Sequence, residues 1–394
     1  MSVYLDRVAA TPLLPEVREA MAPFLGEAYG NPQSLHAAGR RALEAVEEAR
    51  ADVAALIGAG PAEITFTASG TEANNFALKG LALGRQARGR HIVVSAVEHP
   101  SVLNSVKALE RQGFTSTVVP VDGEGRVDPD DVAKALTPAT ALVSVMTANS
   151  EVGTVEPIAE IAALCRPKGV LVHTDAVAAA GSVALSVEAL GVDALSLAGD
   201  QFYGPKGGAA LYVRKGVRIL PLVDGGVQEG GRRGGTENVP AIVGLGRAAR
   251  LAARDMETRR AALEPLRDRL LDELPRRVGH VLVTGSRSRT GRLPHLASFC
   301  VEFVEGEAML LSLDMQGVAA SSGSACTSKS LRASHVLLAM GLDHATAQGS
   351  LVFSLVDGTG REAIDRLLEI FPPIVDRLRR MSPLWTEHLK KGGT

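Results

Sequence analysis

Short, nearly unbroken apolar runs recur along the first half of the chain, at Ile64 to Thr67, His91 to Ser95, Ser116 to Val119, Ala141 to Met146, Val170 to His173, Ala194 to Leu197 and Ala209 to Val213. Runs this short, without polar alternation, are what strands buried on both faces require. Most are separated by stretches with helical spacing. The alternation predicts an α/β fold with a largely parallel seven-stranded sheet covered on both faces. Ahead of it, Pro15 to Phe24 reads as a helix broken by Gly30-Asn31-Pro32. A longer helix then runs from about Leu35 to Ile57, its face of Leu43, Val46, Val53, Ala54 and Ile57 predicted to pack on a sheet or a partner subunit.

A helix over Ala241 to Arg260 leads out of this region, with the charged stretch Arg250 to Arg260 as connector. Beyond it, strands at Val281 to Thr284, Ser298 to Phe303, Val318 to Ala320 and Leu351 to Ser354 alternate with helices. That predicts a large domain over 1–260 and a smaller α+β domain over 261–394. Without a repeat, low-complexity tract or flexible linker, the two are expected to move as one body.

Composition narrows the function. The 394 residues are 46% hydrophobic but only 4% aromatic, which predicts an aliphatic core. A formal charge of −2 argues against nucleic-acid binding, which needs a basic face. No apolar run approaches the roughly 18 residues of a membrane span, and the N-terminus lacks a basic-then-apolar signal, so a cytoplasmic location is expected. Cys165, Cys300 and Cys326 are scattered, which suits neither a disulfide framework nor a metal site. The first two sit in apolar surroundings and read as core.

Four stretches carry candidate chemistry. Thr67-Ala68-Ser69-Gly70-Thr71-Glu72-Ala73-Asn74-Asn75 follows a strand and opens a helix, which makes either an anion site of backbone amides or an ordinary N-cap. Asp175 ends a buried strand, where a carboxylate needs a cationic partner, from a ligand or from a salt bridge. Ser196 to Gly208 reads as strand, Gly-rich turn, strand. Ser321-Ser322-Gly323-Ser324-Ala325-Cys326-Thr327-Ser328 is a small-residue loop presenting one thiol, and Lys329 and Arg332 nearby favour its thiolate.

Together these stretches resemble the cysteine desulfurase family, pyridoxal-phosphate (PLP) enzymes of the class V aminotransferase type, from Tyr4-Leu5-Asp6 through the Cys326 loop to the C-terminal helix. The resemblance implies a PLP-transferase type I fold and a cofactor site. It places Gly70 and Thr71 at the phosphate, His99 on the pyridine ring and Asp175 at the ring nitrogen. It has Thr236, in Gly234-Gly235-Thr236-Glu237-Asn238, reach the neighbouring subunit's phosphate, which implies a homodimer. Cys326 corresponds to the thiol that carries a persulfide to an acceptor protein in sulfur trafficking, for instance iron–sulfur cluster assembly. His335 stands where many relatives have tyrosine and reads as a solvated surface residue.

The departures are as specific as the matches. The family reads Ser-x-His-Lys-x-x-Gly-Pro-Lys-Gly, and its first lysine forms the Schiff base. Aligned on Gly204-Pro205-Lys206-Gly207, this chain has Ala198, Asp200 and Gln201 at the serine, histidine and lysine. Ala178 replaces a glutamine, Ser150 an asparagine, Val352 the substrate-carboxylate arginine and Gly230 another arginine. The stretch Asp6-Arg7-Val8-Ala9-Ala10-Thr11 departs as well.

An amide cannot form an imine, so Gln201 removes both tether and base. A carboxylate at 200 facing a phosphate at about 4 Å costs on the order of 4 kcal/mol at an effective dielectric near 20. Alanine at 178 and at 198 cannot hydrogen-bond a charged ligand, which forgoes about 1–3 kcal/mol at each position. Lys206 is the nearest other amine, but its loop turns away and the family already has a lysine there. The sequence thus predicts a vestigial or weak PLP site without covalent attachment, in a degenerate family member serving as a sulfur-relay or scaffold protein through Cys326. Two alternatives stand beside it: an active cysteine desulfurase using untethered PLP, and a structural dimer partner of an active relative.

Overall fold

The computed structural model describes residues 3–323 and 333–391. Its strands are β1 (Val3–Tyr4), β2 (Ile64–Thr67), β3 (His91–Ser95), β4 (Thr115–Val119), β5 (Thr140–Ser144), β6 (Leu171–Asp175), β7 (Ala194–Ala198), β8 (Ala209–Val213), β9 (Val281–Thr284), β10 (Leu296–Val301), β11 (Val318–Ala319) and β12 (Ser350–Ser354). The seven predicted core strands form one sheet in the order β2-β8-β7-β6-β5-β3-β4. From β4 to β7 the neighbours are parallel, and β8 runs antiparallel to both β2 and β7. Every strand of this sheet except the edge strand β4 is buried along its length, as continuous apolar runs require.

Helices cover both faces. Val46, Val53 and Ile57 of the Ala37–Ile57 helix pack with Leu245 and Ala249 on one side, and Phe76, Leu81, Val102 and Leu109 fill the other. The apolar stripe of the Ala37–Ile57 helix therefore faces its own chain. Leu43, assigned to the stripe from sequence, is instead 41% exposed.

The connector differs from expectation. Instead of ending near Arg260, the helix runs unbroken from Val239 to Val278. Its second half carries Leu263, Leu270 and Leu274 into another apolar cluster with Phe299, Phe353, Leu367 and Phe371. Buried arginines hid this continuity from the hydrophobic pattern. Arg259 lies over the Tyr203 ring at 4.7 Å and bonds Asp357, while Arg267 donates to the Leu293 carbonyl at 3.0 Å. Around that cluster β12, β10 and β9 form an antiparallel sheet, and β1 pairs with β11. Strand β10 starts two residues before the predicted Ser298 and stops at Val301, because Phe303 takes a left-handed φ of 69°. The two clusters are stitched beside the site, where the Asp357 amide donates to the Tyr203 hydroxyl at 2.6 Å.

Candidate functional site

Strands β6 and β7 end at a cavity of about 560 Å3, the place where parallel sheets present ligand sites. Gly70, Thr71, His99, Asp175, Ala178, Ala198, Asp200 and Gln201 all line it, so the fold brings together residues predicted from sequence segments far apart.

Asp175 anchors the floor. The carboxylate is buried, and its Oδ1 accepts from the Val177 amide at 2.9 Å while Oδ2 accepts from Asn74 Nδ2 at 2.6 Å. Burial pushes its pKa up, opposed by the Val177 amide, His99 and Asn74. No salt bridge satisfies it, so of the two partners open to it in sequence the protein cation is absent among the described residues. Asn74 also donates to Ser101 Oγ at 2.9 Å, and that oxygen lies 2.7 Å from His99 Nδ1. His99 Nδ1 also accepts from the Ser101 amide at 3.1 Å, which caps the Pro100–Glu110 helix and leaves the ring proton on Nε2. Burial holds the His99 pKa down, with Asp175 opposing. Asn74 and Ser101 had no assigned role in the sequence. Asn74 follows Gly70 by four residues, the spacing that puts both on one face of the Gly70–Gly84 helix, and this was the available signal.

At the other end, the N-cap read from the sequence forms. Ser69 Oγ accepts from the Glu72 amide at 3.1 Å, and Glu72 Oε2 accepts from the Ala68 amide at 2.9 Å. The Gly70 and Thr71 amides make no hydrogen bond to a described residue and border the cavity. Gly70 has a packing reason too, since a Cβ there would come 2.7 Å from Val177 Cγ2.

The turn Gly199–Gln201 is clamped by the N-terminal arm. The Asp200 carbonyl accepts from both the amide and the hydroxyl of Thr11 at 2.8 Å, and Thr11 Oγ1 accepts from the Tyr203 amide at 2.7 Å. Buried Arg7 donates to Ser182 Oγ at 2.7 Å and to the Gln201 carbonyl at 3.3 Å. The Gln201 side chain donates to the Val8 carbonyl at 3.3 Å. Burial raises the Asp200 pKa, opposed by its own backbone amide and by the charge of Lys206. Lys206 is exposed yet lines the cavity, the one amine among the described residues that line it.

Two further carboxyls sit close by. Glu98 Oε1 accepts from Ser95 Oγ at 2.7 Å and the Met146 amide at 2.8 Å, while Oε2 is buried without a partner among the described residues. Burial pushes its pKa up to about 8. Glu151 is pushed up to about 7, also by burial, and its Oε2 accepts from Ser334 Oγ at 2.6 Å. His335 is exposed, as expected, and its Nε2 lies 2.9 Å from the Glu98 carbonyl.

Two positions lie apart. Val352 is 1% exposed within the apolar cluster of the large sheet and does not line the cavity. Thr236 is exposed and likewise does not line its own chain's cavity. Its loop is held by Glu229, which forms a two-point pair with Arg50 at 2.8 Å and accepts from the Phe66 amide at 2.8 Å. Cys326 lies outside the described residues.

A mainly parallel seven-stranded sheet with a cavity at the ends of β6 and β7 defines an α/β protein of the class V aminotransferase type, and residues 3–367 match the aminotransferase class-V family. The chain belongs to that family, within its cysteine desulfurase group. It is 48% identical over 381 residues to "Cysteine desulfurase IscS" of Dictyoglomus turgidum, covering 97% of this chain and 96% of the relative. It is 49% identical over 381 residues to "Cysteine desulfurase" of Trichormus azollae, covering 97% and 94%. Among solved structures, a "NIFS-LIKE PROTEIN" superposes with a TM-score of 0.90 at 37% identity, covering 96% of this chain and all of the other.

Proposed function

We propose that this protein acts in sulfur transfer as a relay or scaffold, using Cys326 as its exchangeable thiol, and does not run the covalent PLP chemistry of its group. The carrying observation is at position 201. An amide bonded to the Val8 carbonyl stands in the cavity wall, and among the described residues that line the cavity the one amine is on exposed Lys206. The ring-binding half fits PLP, because Asp175 is a buried carboxylate without a cationic partner and Asn74 and Ser101 fix both it and His99. Gly70 and Thr71 amides suit its phosphate. The attachment half does not fit, since an amide nitrogen is not nucleophilic. When bound, PLP supplies an electron sink for the substrate's α-carbon. In this chain Asp175 would hold the ring nitrogen and His99 would cover the ring, while no residue at 201 would move the α-proton. A homodimer with Thr236 lent across the interface, and a sulfur-acceptor or scaffold partner, belong to the same reading.

The intact Asp175–Asn74–Ser101–His99 network favours one second reading. In it the protein is a cysteine desulfurase with untethered PLP, converting L-cysteine to L-alanine and leaving a persulfide on Cys326. One assay separates the two: purified protein is given PLP, L-cysteine and dithiothreitol, and alanine and sulfide are measured over many turnovers. The relay reading expects none, with persulfide accepted by Cys326 only from a donor. Sustained alanine formation overturns it.

A further inference from the structure

The N-terminal ends of β6 and β7, opposite the cavity, border a second, open hollow of about 110 Å3. At about 30 Å3 per water, that is space for roughly four waters, enough for one small ion. Strand β6 separates the two places, with Val170 to Val172 bordering the hollow and Asp175 the cavity; four steps of about 3.3 Å put them on the order of 13 Å apart.

Three guanidiniums line the hollow, from Arg85, Arg166 and Arg214, against one carboxylate, Asp193. Asp193 is already engaged, its Oδ2 accepting from the Val172 amide at 2.8 Å and its Oδ1 lying 3.4 Å from Arg214 Nη1. Arg214 also donates to the Val192 carbonyl at 2.7 Å, and Arg166 to the Gly191 carbonyl at 3.4 Å. Gly191 has a left-handed φ of 71°, and a Cβ there would come 3.2 Å from Arg166 Nη2, so this glycine lets the guanidinium lie against the backbone. Arg85 is different. Half-buried at the end of the Gly70–Gly84 helix, it feels the Asp193 charge, but its side chain makes no hydrogen bond to a described residue.

Three cations and one anion leave a surplus of two positive charges on the lining. Arg85 and Arg214 are half-buried and Arg166 is exposed; guanidiniums gathered around one hollow repel one another, an anion between them relieves this, and their planar forks match the oxygens of tetrahedral ions. We propose that this hollow is an oxyanion site for a small doubly charged ion of the phosphate or sulfate class. Arg85 supplies the free donors, while Arg166 and Arg214 are held in place by the backbone carbonyls of the β6–β7 connection. The site is separate from the cofactor-type cavity and does not depend on the function proposed for it.

The test is calorimetric titration of the full chain with inorganic phosphate, at ionic strength matched with sodium chloride, and a parallel titration with glycerol 3-phosphate. Saturable phosphate binding is expected, weakened on the order of tenfold or more in Arg85→Gln, as befits one charge-assisted contact. Because the Arg85 side chain hydrogen-bonds no described residue, this variant is expected to keep the wild-type melting temperature in chloride alone. Binding of both ligands would assign the site to a phosphoryl group on a larger molecule, and binding of phosphate alone to the free ion. Phosphate held instead at the Gly70 and Thr71 amides would be displaced by PLP and untouched by Arg85→Gln. Absence of saturable binding, or binding undiminished in both Arg85→Gln and Arg166→Gln, would overturn the proposal.

Discussion

Asn74 Nδ2 lies 2.6 Å from Asp175 Oδ2, so the helix whose first residues border one end of the cavity also holds the carboxylate at its floor. One residue thereby couples the two ends of the site. The same nitrogen reaches Ser101, and through it the ring of His99. Replacing Asn74 by Ala leaves a buried carboxylate short of a donor, which costs about 1–3 kcal/mol. Urea denaturation at pH 7 is expected to register that loss, and Asn74→Asp, which sets two carboxylates together, is expected to lose more.

Position 201 decides covalent attachment. Gln201→Lys places an amine in a cavity that already has Asp175 and His99, so added PLP is expected to give a visible absorbance and a borohydride-fixed adduct on residue 201. Wild-type protein is expected to yield no such adduct at 201. Peptide mapping by mass spectrometry reads both. An adduct on Lys206 in the wild type would reassign the amine.

Glu98 predicts a pH dependence. Its folded pKa of about 8 stands above the unfolded value of 4.5, so between the two the native state binds the extra proton. Stability from this group is therefore greatest in mild acid and falls as pH rises through the window toward 8, by up to about 1.4 kcal/mol per unit. Glu156, also raised to about 8 by burial, adds in the same direction. Glu98→Gln keeps the acceptor for Ser95 and Met146 and cannot ionise. Melting curves are expected to match wild type near pH 5 and to exceed it at pH 8; equal slopes would contradict the assignment.

The Glu229–Arg50 pair fixes the loop that presents Thr236. Glu229 has 3% side-chain exposure and Arg50 10%, so removing the acid strips a buried guanidinium of its two-point partner and leaves it Glu47 at 3.1 Å and the Ile64 carbonyl at 3.0 Å. Glu229→Ala is expected to cost about 1.5–3 kcal/mol, read by thermal denaturation. Hydrogen exchange over residues 224–238 should rise in the same variant. Exchange unchanged there would mean the loop is held by other contacts.

Gly70→Ala tests close packing. Its methyl group would meet Val177 Cγ2 at 2.7 Å, and overpacking of this kind costs about 1–3 kcal/mol. The double variant Gly70→Ala, Val177→Ala is expected to recover much of the loss in denaturant titration. No recovery would place the strain elsewhere.

The chain's order of apolar runs determined the core strands, because six of the seven are buried along their length and so read as largely apolar runs, while β4 is a partly exposed edge strand. The resemblance to the family implied that Gly70, Thr71, His99, Asp175, Ala178, Ala198, Asp200 and Gln201 belong together, and they line one cavity. The tertiary structure alone decided the run of the Val239–Val278 helix, whose buried Arg259 and Arg267 break the apolar period because their partners, Tyr203, Asp357 and the Leu293 carbonyl, are remote in sequence. It also decided that the Arg7–Thr11 arm clamps the Gly199–Gln201 turn, and that three arginines meet around Asp193. A linear pattern registers how often a side chain is apolar. It carries no record of which distant carbonyl or carboxylate will satisfy a buried charge, and in this protein those pairings set the chemistry.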